Sequence, residues 1–278
     1  MGRRRLSLGT TQETLLIPLY GRAVESRKKR PALHDAKAVE MVGSIDYDFA
    51  KFDGGRSLLG SVLRTLIFDG WVRAFLARHP GGTVVEIGTG LNTRFERLDN
   101  GAVRWFDVDL PDVIDLRRHF FADDERRTMI ACSVLDHAWT DVVRESDGPY
   151  LIISEAVLLY LSEEDVRTAL SLISSSFPGA EVAFDTGSRL MMDFQHQHDS
   201  LKKVDAVMTW ACDEPRRIED WGIGLRLRES RTVAEPQVAV RRALPVRYRV
   251  MLPALRWFAA RKVGSYRLNL FGVHSAPE

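Results

Sequence analysis

The stretch that decides the fold is Val85-Glu86-Ile87-Gly88-Thr89-Gly90-Leu91-Asn92-Thr93. Residues 83–87 form a β-branched run, and Gly88 breaks it where a buried strand must turn sharply into the next element. Outward from this turn the same kind of strand recurs at 102–108, which Leu110-Pro111 stops, and at 127–132. A fourth, at 150–153, continues into Ser154-Glu155, and a fifth spans 181–185. Nearly continuous apolar strands imply burial on both faces, as in a parallel sheet.

Helical patterns fit between these strands. Residues 111–121 open with Pro and Asp in the first turn. Ser162-Glu163-Glu164-Asp165 is a capped start, followed by Val166, Leu170 and Ile173 on one face. Upstream, 56–78 reads as one amphipathic helix. The alternation predicts a doubly wound α/β domain with a mainly parallel sheet. We divide it into an N-terminal helical arm (1–80), a core (81–187), a polar helical lid insertion (188–224) and C-terminal edge strands (225–278).

At 278 residues, length alone leaves one large domain or two small ones. Apolar residues at 45% and charged residues at 28% exclude disordered, collagenous and membrane-bundle classes. A formal charge of +1 argues against a dedicated nucleic-acid binder. The charge is uneven, however: residues 215–267 carry +9, which leaves −8 for the remainder. Cys132 and Cys212 read as reduced thiols. The start Met1-Gly2-Arg3-Arg4-Arg5 lacks the apolar stretch of a secretory signal, and Leu6 stands where a myristoylation signal needs Ser or Thr. The expectation is a cytoplasmic protein with no membrane segment.

The chemistry starts at the glycine turn. A dinucleotide fingerprint wants a third glycine near position 93, where this chain has Thr93. Glu86, two residues before the first glycine, repels pyrophosphate and favours a cationic ligand. Asp107 and Asp109 stand at the end of the second strand, where an acid accepts hydrogen bonds from ribose hydroxyls. Together these features fit S-adenosylmethionine, which carries a sulfonium, an amino group and a free ribose but no phosphate, better than a nicotinamide cofactor. Gln195-His196-Gln197-His198 offers two histidines in a polar helix, too few for a metal site, and no metal is expected.

Five ordered pieces then resemble the leucine carboxyl methyltransferase family, and within it the bacterial branch that methylates polyketide carboxylates. They are Glu13 to Ser26 (ETLLIPLYGRAVES), Arg64-Thr65 with Asp69, Glu86 to Arg94 with Arg97-Leu98, Phe106 to Pro111, and Ser154 to Leu161. The resemblance covers roughly residues 10 to 190. It implies a Rossmann-like class I methyltransferase using S-adenosylmethionine and releasing S-adenosylhomocysteine. By the same resemblance, Arg64 pairs with the cofactor carboxylate, Gly88 and Gly90 let backbone approach its amino-acid end, and Asp109 holds the ribose, with Asp107 as competitor. Ser133, Val134 and Leu135 border adenine, although the family often has an acid in place of Ser133. Glu155 faces the amino group or the transfer centre. Thr14 stands near where the family has a lysine.

A carboxylate acceptor is ionised at neutral pH and needs no general base, which suits a chain without an evident His or Cys constellation. Tyr20, Arg22, Tyr160 and Arg189 are the candidates for positioning an anionic acceptor. Trp210 and Trp221 would give the lid an aromatic surface. The expected acceptor is a small carboxylic acid such as a polyketide, free or carried by an acyl carrier protein that the basic C-terminal region would attract. Two alternatives stay open: a phenolic hydroxyl acceptor, and a non-catalytic S-adenosylmethionine-binding protein.

Overall fold

A computed structural model describes residues 4–5, 12–197, 199, 204 and 206–274. Most of the Met1-to-Leu6 targeting motif and His198 lie outside the described residues. A two-residue strand β1 (Arg4–Arg5) pairs in parallel with β2 (Ile45–Asp46). Between them run α1 (Leu16–Ser26) and α2 (Ala36–Ser44), the latter N-capped by the Asp35 carboxylate, which accepts from the Ala38 amide. A 3-10 turn over Phe49–Phe52 leads to α3 (Arg56–Arg78).

The core then alternates β3 (Thr83–Ile87), α4 (Arg94–Leu98), β4 (Arg104–Asp109), α5 (Pro111–Arg117), β5 (Arg127–Ala131), α6 (Ala138–Arg144), β6 (Tyr150–Ser154), α7 (Glu163–Ser176) and β7 (Glu181–Gly187). The Ser162 hydroxyl caps α7 by accepting from the Asp165 amide at 3.1 Å, as the capped start predicts. After α8 (Arg189–Asp193) come β8 (Leu225–Arg231), α9 (Val238–Ala243), α10 (Val246–Phe258), α11 (Ala260–Gly264) and β9 (Tyr266–Val273).

The main sheet has the order β5-β4-β3-β6-β7-β9-β8. Its first five strands are parallel, while β9 runs antiparallel to both β7 and β8. Alternate residues of each strand face opposite layers. Val85, Ile152 and Val182 join Trp139, Phe177 and Phe271 on one face, and Val84, Leu151 and Ala183 join Phe68, Trp71 and Phe75 of α3 on the other. Each large apolar side chain so buried contributes about 1.5–3 kcal/mol. Winding reverses between β3 and β6, and open α/β sheets hold ligands outside the carboxyl ends of strands at such a switch. The N-terminal arm roofs that region: Leu16, Leu19 and Ala23 of α1 pack in one cluster with Leu91, just after the glycine turn, and Ile114 of α5.

Two expectations need correction. Described residues of the supposed lid are docked on the core: the Cys212 amide donates to the Gly187 carbonyl at 2.7 Å, and Trp210 is buried between Phe184 and Trp221. An indole that fits a core gap is worth more there than on a flap. The C-terminal segment is not only edge strands, because α9, α10 and α11 intervene between β8 and β9. Tyr248 and Leu252 of α10 pack against Val62, Leu63 and Leu66 on the far side of α3, a tertiary contact that short-range pattern does not reveal. No described helix is long and apolar enough to cross a membrane.

Candidate active site

At the switch point the chain builds a buried ion network around Arg94. This residue has no solvent exposure, and its Nε donates to Asp69 at 2.9 Å, Nη1 to Glu86 and Nη2 to Glu155. Arg97, one turn later on α4, grips Asp69 with two nitrogens and donates to Thr93 Oγ1 at 2.6 Å. A buried charge is tolerated only when paired and hydrogen-bonded, and these carboxylates and guanidiniums satisfy one another.

Arg64, on α3, donates from Nε to Glu155 Oε1 at 2.7 Å and from Nη1 to the Tyr266 hydroxyl at 3.2 Å; Nη2 has no partner among the described residues. Asp69 therefore serves Arg94 and Arg97 and leaves Arg64 to the site. Glu155 also accepts from Thr65 Oγ1 at 3.0 Å. Burial pushes the Glu155 carboxyl up, but Arg64 and Arg94 outweigh burial and hold it at about 2. Glu155 is thus ionised, and its oxygens are taken up in holding the two guanidiniums.

Glu86 lies beneath the glycine turn rather than on its open side. It is 2% exposed, Oε1 accepts from Asn92 Nδ2 at 2.7 Å and from Arg94, and Oε2 is buried with no partner among the described residues. Burial pushes its carboxyl up to about 7. Its observed contacts brace the turn, so direct attraction of a cation is not what this geometry provides.

The two competing aspartates separate cleanly. Asp107 has no exposure and accepts from Thr89 Oγ1 (2.7 Å), Trp105 Nε1 (3.2 Å), Arg117 Nη2 (3.0 Å) and Arg127 Nε (2.7 Å). That set leaves it no room for a ribose. Asp109 is half-buried at the end of β4 and accepts from the Gly90 amide at 2.7 Å and the Leu110 amide at 2.8 Å. Burial pushes its carboxyl up to about 6, against the pull of those amides. The loop after β5 runs alongside, since the Cys132 amide donates to the Asp109 carbonyl at 2.8 Å. On that loop Ser133 Oγ accepts from the Leu135 amide, Val134 packs on the core, and Leu135 is exposed.

Gly88 and Gly90 have φ of +62° and +51°, the left-handed region glycine enters without steric cost. A Cβ at Gly88 would sit 2.2 Å from Val157 Cγ2, and one at Gly90 2.6 Å from Leu15 Cδ2. The space beside each glycine is thus filled by the chain itself, which compacts the turn against the arm and the end of β6. Thr14, half-buried in the arm, directly precedes Leu15.

The acceptor candidates fare unequally. Arg22 is 2% exposed, with Nε on Asp35 at 2.9 Å and Nη2 on the Leu91 carbonyl at 2.8 Å, so it anchors the arm to the turn and is not free for an acceptor. Tyr20 stacks on Phe49 and donates to Asp53, within the arm. Arg189 is exposed at the start of α8, where its backbone amide caps onto Asp213. Tyr160 is the one drawn to the centre: it packs against both the arm cluster and the cluster of Met192 and Met208, and burial pushes its hydroxyl up to about 12.

Sequence reasoning gave no role to Asp185 or Tyr266. Asp185, on β7, accepts from the Ala156 amide with both oxygens (2.9 and 3.0 Å) and from the Tyr266 hydroxyl. The signal for Asp185 was an acid ending an apolar strand. Tyr266 had none, since it is delivered from 81 residues away.

These residues fit S-adenosylmethionine by their donors and acceptors. Asp109 offers a partly exposed carboxylate for ribose hydroxyls, and Arg64 offers a free guanidinium nitrogen for the amino-acid carboxylate. The leucine carboxyl methyltransferase family model matches residues 16–174. The tetracenomycin polyketide synthesis O-methyltransferase TcmP of Streptomyces glaucescens is 34% identical over 226 residues, 81% of this chain and 83% of that protein. The S-adenosyl-L-methionine-dependent methyltransferase dpfgK of Gibberella zeae is 29% identical over 252 residues, 82% of this chain and 84% of that one. For the fold alone, a crystal structure of a DUF574 family protein from Streptomyces avermitilis superposes with a TM-score of 0.57 at 14% identity, covering 93% of this chain and 97% of that one. With a methyltransferase-type sheet, a donor set suited to S-adenosylmethionine and a family match over more than half its length, the chain belongs to the leucine carboxyl methyltransferase family and is an S-adenosylmethionine-dependent methyltransferase.

Proposed function

We propose that this enzyme makes a methyl ester on the carboxylate of a small polyketide-like acid, free or presented by a carrier protein. The observation that carries the carboxylate reading is the state of the acids in the site. Glu155 is committed to Arg64, Arg94 and Thr65, and Asp185 to Ala156 and Tyr266. Tyr160 stays protonated, and the described histidines are exposed or, like His79, lie at the far end of α3. No described side chain is poised to take a proton from an acceptor, so an acceptor already ionised at neutral pH fits best. The polyketide class comes from the similarity to TcmP.

When bound, the cofactor supplies a sulfonium-activated methyl group whose S–C bond breaks as the acceptor O–C bond forms. The chain's own residues position and exclude water. Asp109 and Arg64 would hold the two ends of the cofactor, the arm over Leu91 would keep the site dry, and the Tyr160 hydroxyl can donate to an acceptor oxygen. Alignment in a dry site is the main requirement for such a displacement. Thr14, Ser133, Val134 and Leu135 stay as proposed cofactor contacts through their place beside the turn and the Asp109 loop, and exposed Arg189 as a candidate for drawing in the acceptor.

The test is transfer of a labelled methyl group to a panel of aromatic carboxylic acids and matched phenols. We expect base-labile label on the acids. Label found only in base-stable ethers, with a rate that rises with pH, would instead favour a hydroxyl acceptor.

A further inference from the structure

Asp185 and Tyr266 lie beyond residues 16–174, the part matched by the family model, yet both reach the centre of the site. Ala156 is the one described non-glycine residue with positive φ, at +59°. L-residues avoid that region, so a backbone held there needs outside support. Asp185, with no solvent exposure, supplies it by accepting the Ala156 amide with both oxygens. The next residue, Val157, is the side chain packed against the Gly88 turn. Asp185 also accepts from the Tyr266 hydroxyl, whose oxygen accepts from Arg64 Nη1. One carboxylate therefore supports both edges of the cofactor site.

We propose that Asp185 and Tyr266 are positioning residues for methyl transfer, Asp185 fixing the left-handed Ala156 turn beneath the glycine turn and Tyr266 fixing Arg64 toward the cofactor carboxylate. The pair rests on the S-adenosylmethionine assignment and not on which acceptor is used. Groups facing Asp185 are Arg64 from α3, Tyr266 from β9, Glu155 and the Ala156 amide at the end of β6, and Tyr160 from the following turn. Burial raises its carboxyl, and the Tyr266 hydroxyl is one of the contacts that oppose this.

The experiment is calorimetric titration with S-adenosylhomocysteine from pH 5 to 8, with circular dichroism as the check on folding. Tyr266→Phe should weaken binding about tenfold, the loss expected for one hydrogen bond to a charged group. Its affinity should also begin to fall at a higher pH than in the wild type, because Asp185 then protonates sooner; Asp109 titrates alike in both. Asp185→Asn should weaken binding at least as much. Adding Ala156→Gly should recover part of that loss, because glycine holds positive φ unaided, but should not help Tyr266→Phe. A folded Tyr266→Phe with wild-type affinity and pH profile overturns the proposal, as does Ala156→Gly failing to improve Asp185→Asn. Wild-type protein that does not bind S-adenosylhomocysteine refutes the cofactor assignment itself, a distinguishable result.

Discussion

Replacing Arg94 by Met tests the buried network most directly. The side chain has no exposure and serves three carboxylates. After the change Asp69 keeps Arg97, and Glu155 keeps Arg64 and Thr65, but Glu86 keeps only Asn92. Removing one partner of a buried ion pair costs about 3–5 kcal/mol, a large part of the roughly 5–15 kcal/mol that holds a domain folded. The cost should depend on pH through Glu86. Its folded-state carboxyl is already raised by burial from 4.5 to about 7. A raised acid binds its proton more tightly in the folded state, so stability is lost as pH rises from about 4.5 through 7, by roughly 3 kcal/mol. Arg94 limits that rise; without it Glu86 protonates at still higher pH. We expect Arg94→Met to lose about 4 kcal/mol at pH 8, and about 1–2 kcal/mol less at pH 6, where Glu86 can neutralise itself. Urea unfolding followed by far-ultraviolet circular dichroism measures both. A loss below about 1 kcal/mol at pH 8, or a penalty that grows toward pH 6, would show that Arg94 does not carry these carboxylates.

Asp109→Ala should weaken S-adenosylhomocysteine binding more than tenfold, and wild-type affinity should fall as pH drops below about 6, where Asp109 gains its proton. An unchanged affinity in calorimetry would remove Asp109 from the ribose site. Gly88→Ala forces a Cβ to 2.2 Å from Val157 at φ +62° and should cost roughly 1–3 kcal/mol, read as a lower melting midpoint. A wild-type melt would mean the turn is softer than the structure shows. Arg22→Met should reduce stability by about 1.5–3 kcal/mol, since Asp35 loses one charged hydrogen bond but keeps Arg97 at 3.3 Å and Thr93, with little change in acceptor KM for the folded fraction. A large KM change with unaltered stability would return Arg22 to acceptor binding.

Local pattern carried much of the fold. Residues 83–87 were legible because a strand buried on both faces is a short continuous apolar run. Residues 56–78 were legible as a helix, but not as an amphipathic one, because α3 is buried against the sheet on one side and α10 on the other. Residues 238–264 were not, because α10 shows a mixed pattern: Tyr248 and Leu252 face α3, while Val250, Trp257 and Phe258 are exposed.

The site divides along the same line. The switch-point turn, the family and the short list of acids at strand ends could be read from residue types at fixed spacing along one chain. Which acid does what was decided only by tertiary structure. Asp107 and Asp109 are two residues apart on one strand and so share a face, but Asp107 lies inside β4 and meets Arg117 and Arg127, while Asp109 at the strand end meets the Gly90 amide. Arg22 and Arg64 look equally available until one is found on Asp35 and the other on Glu155 and Tyr266. A buried charge must find its partner wherever the fold brings one, and that pairing leaves no period in the sequence.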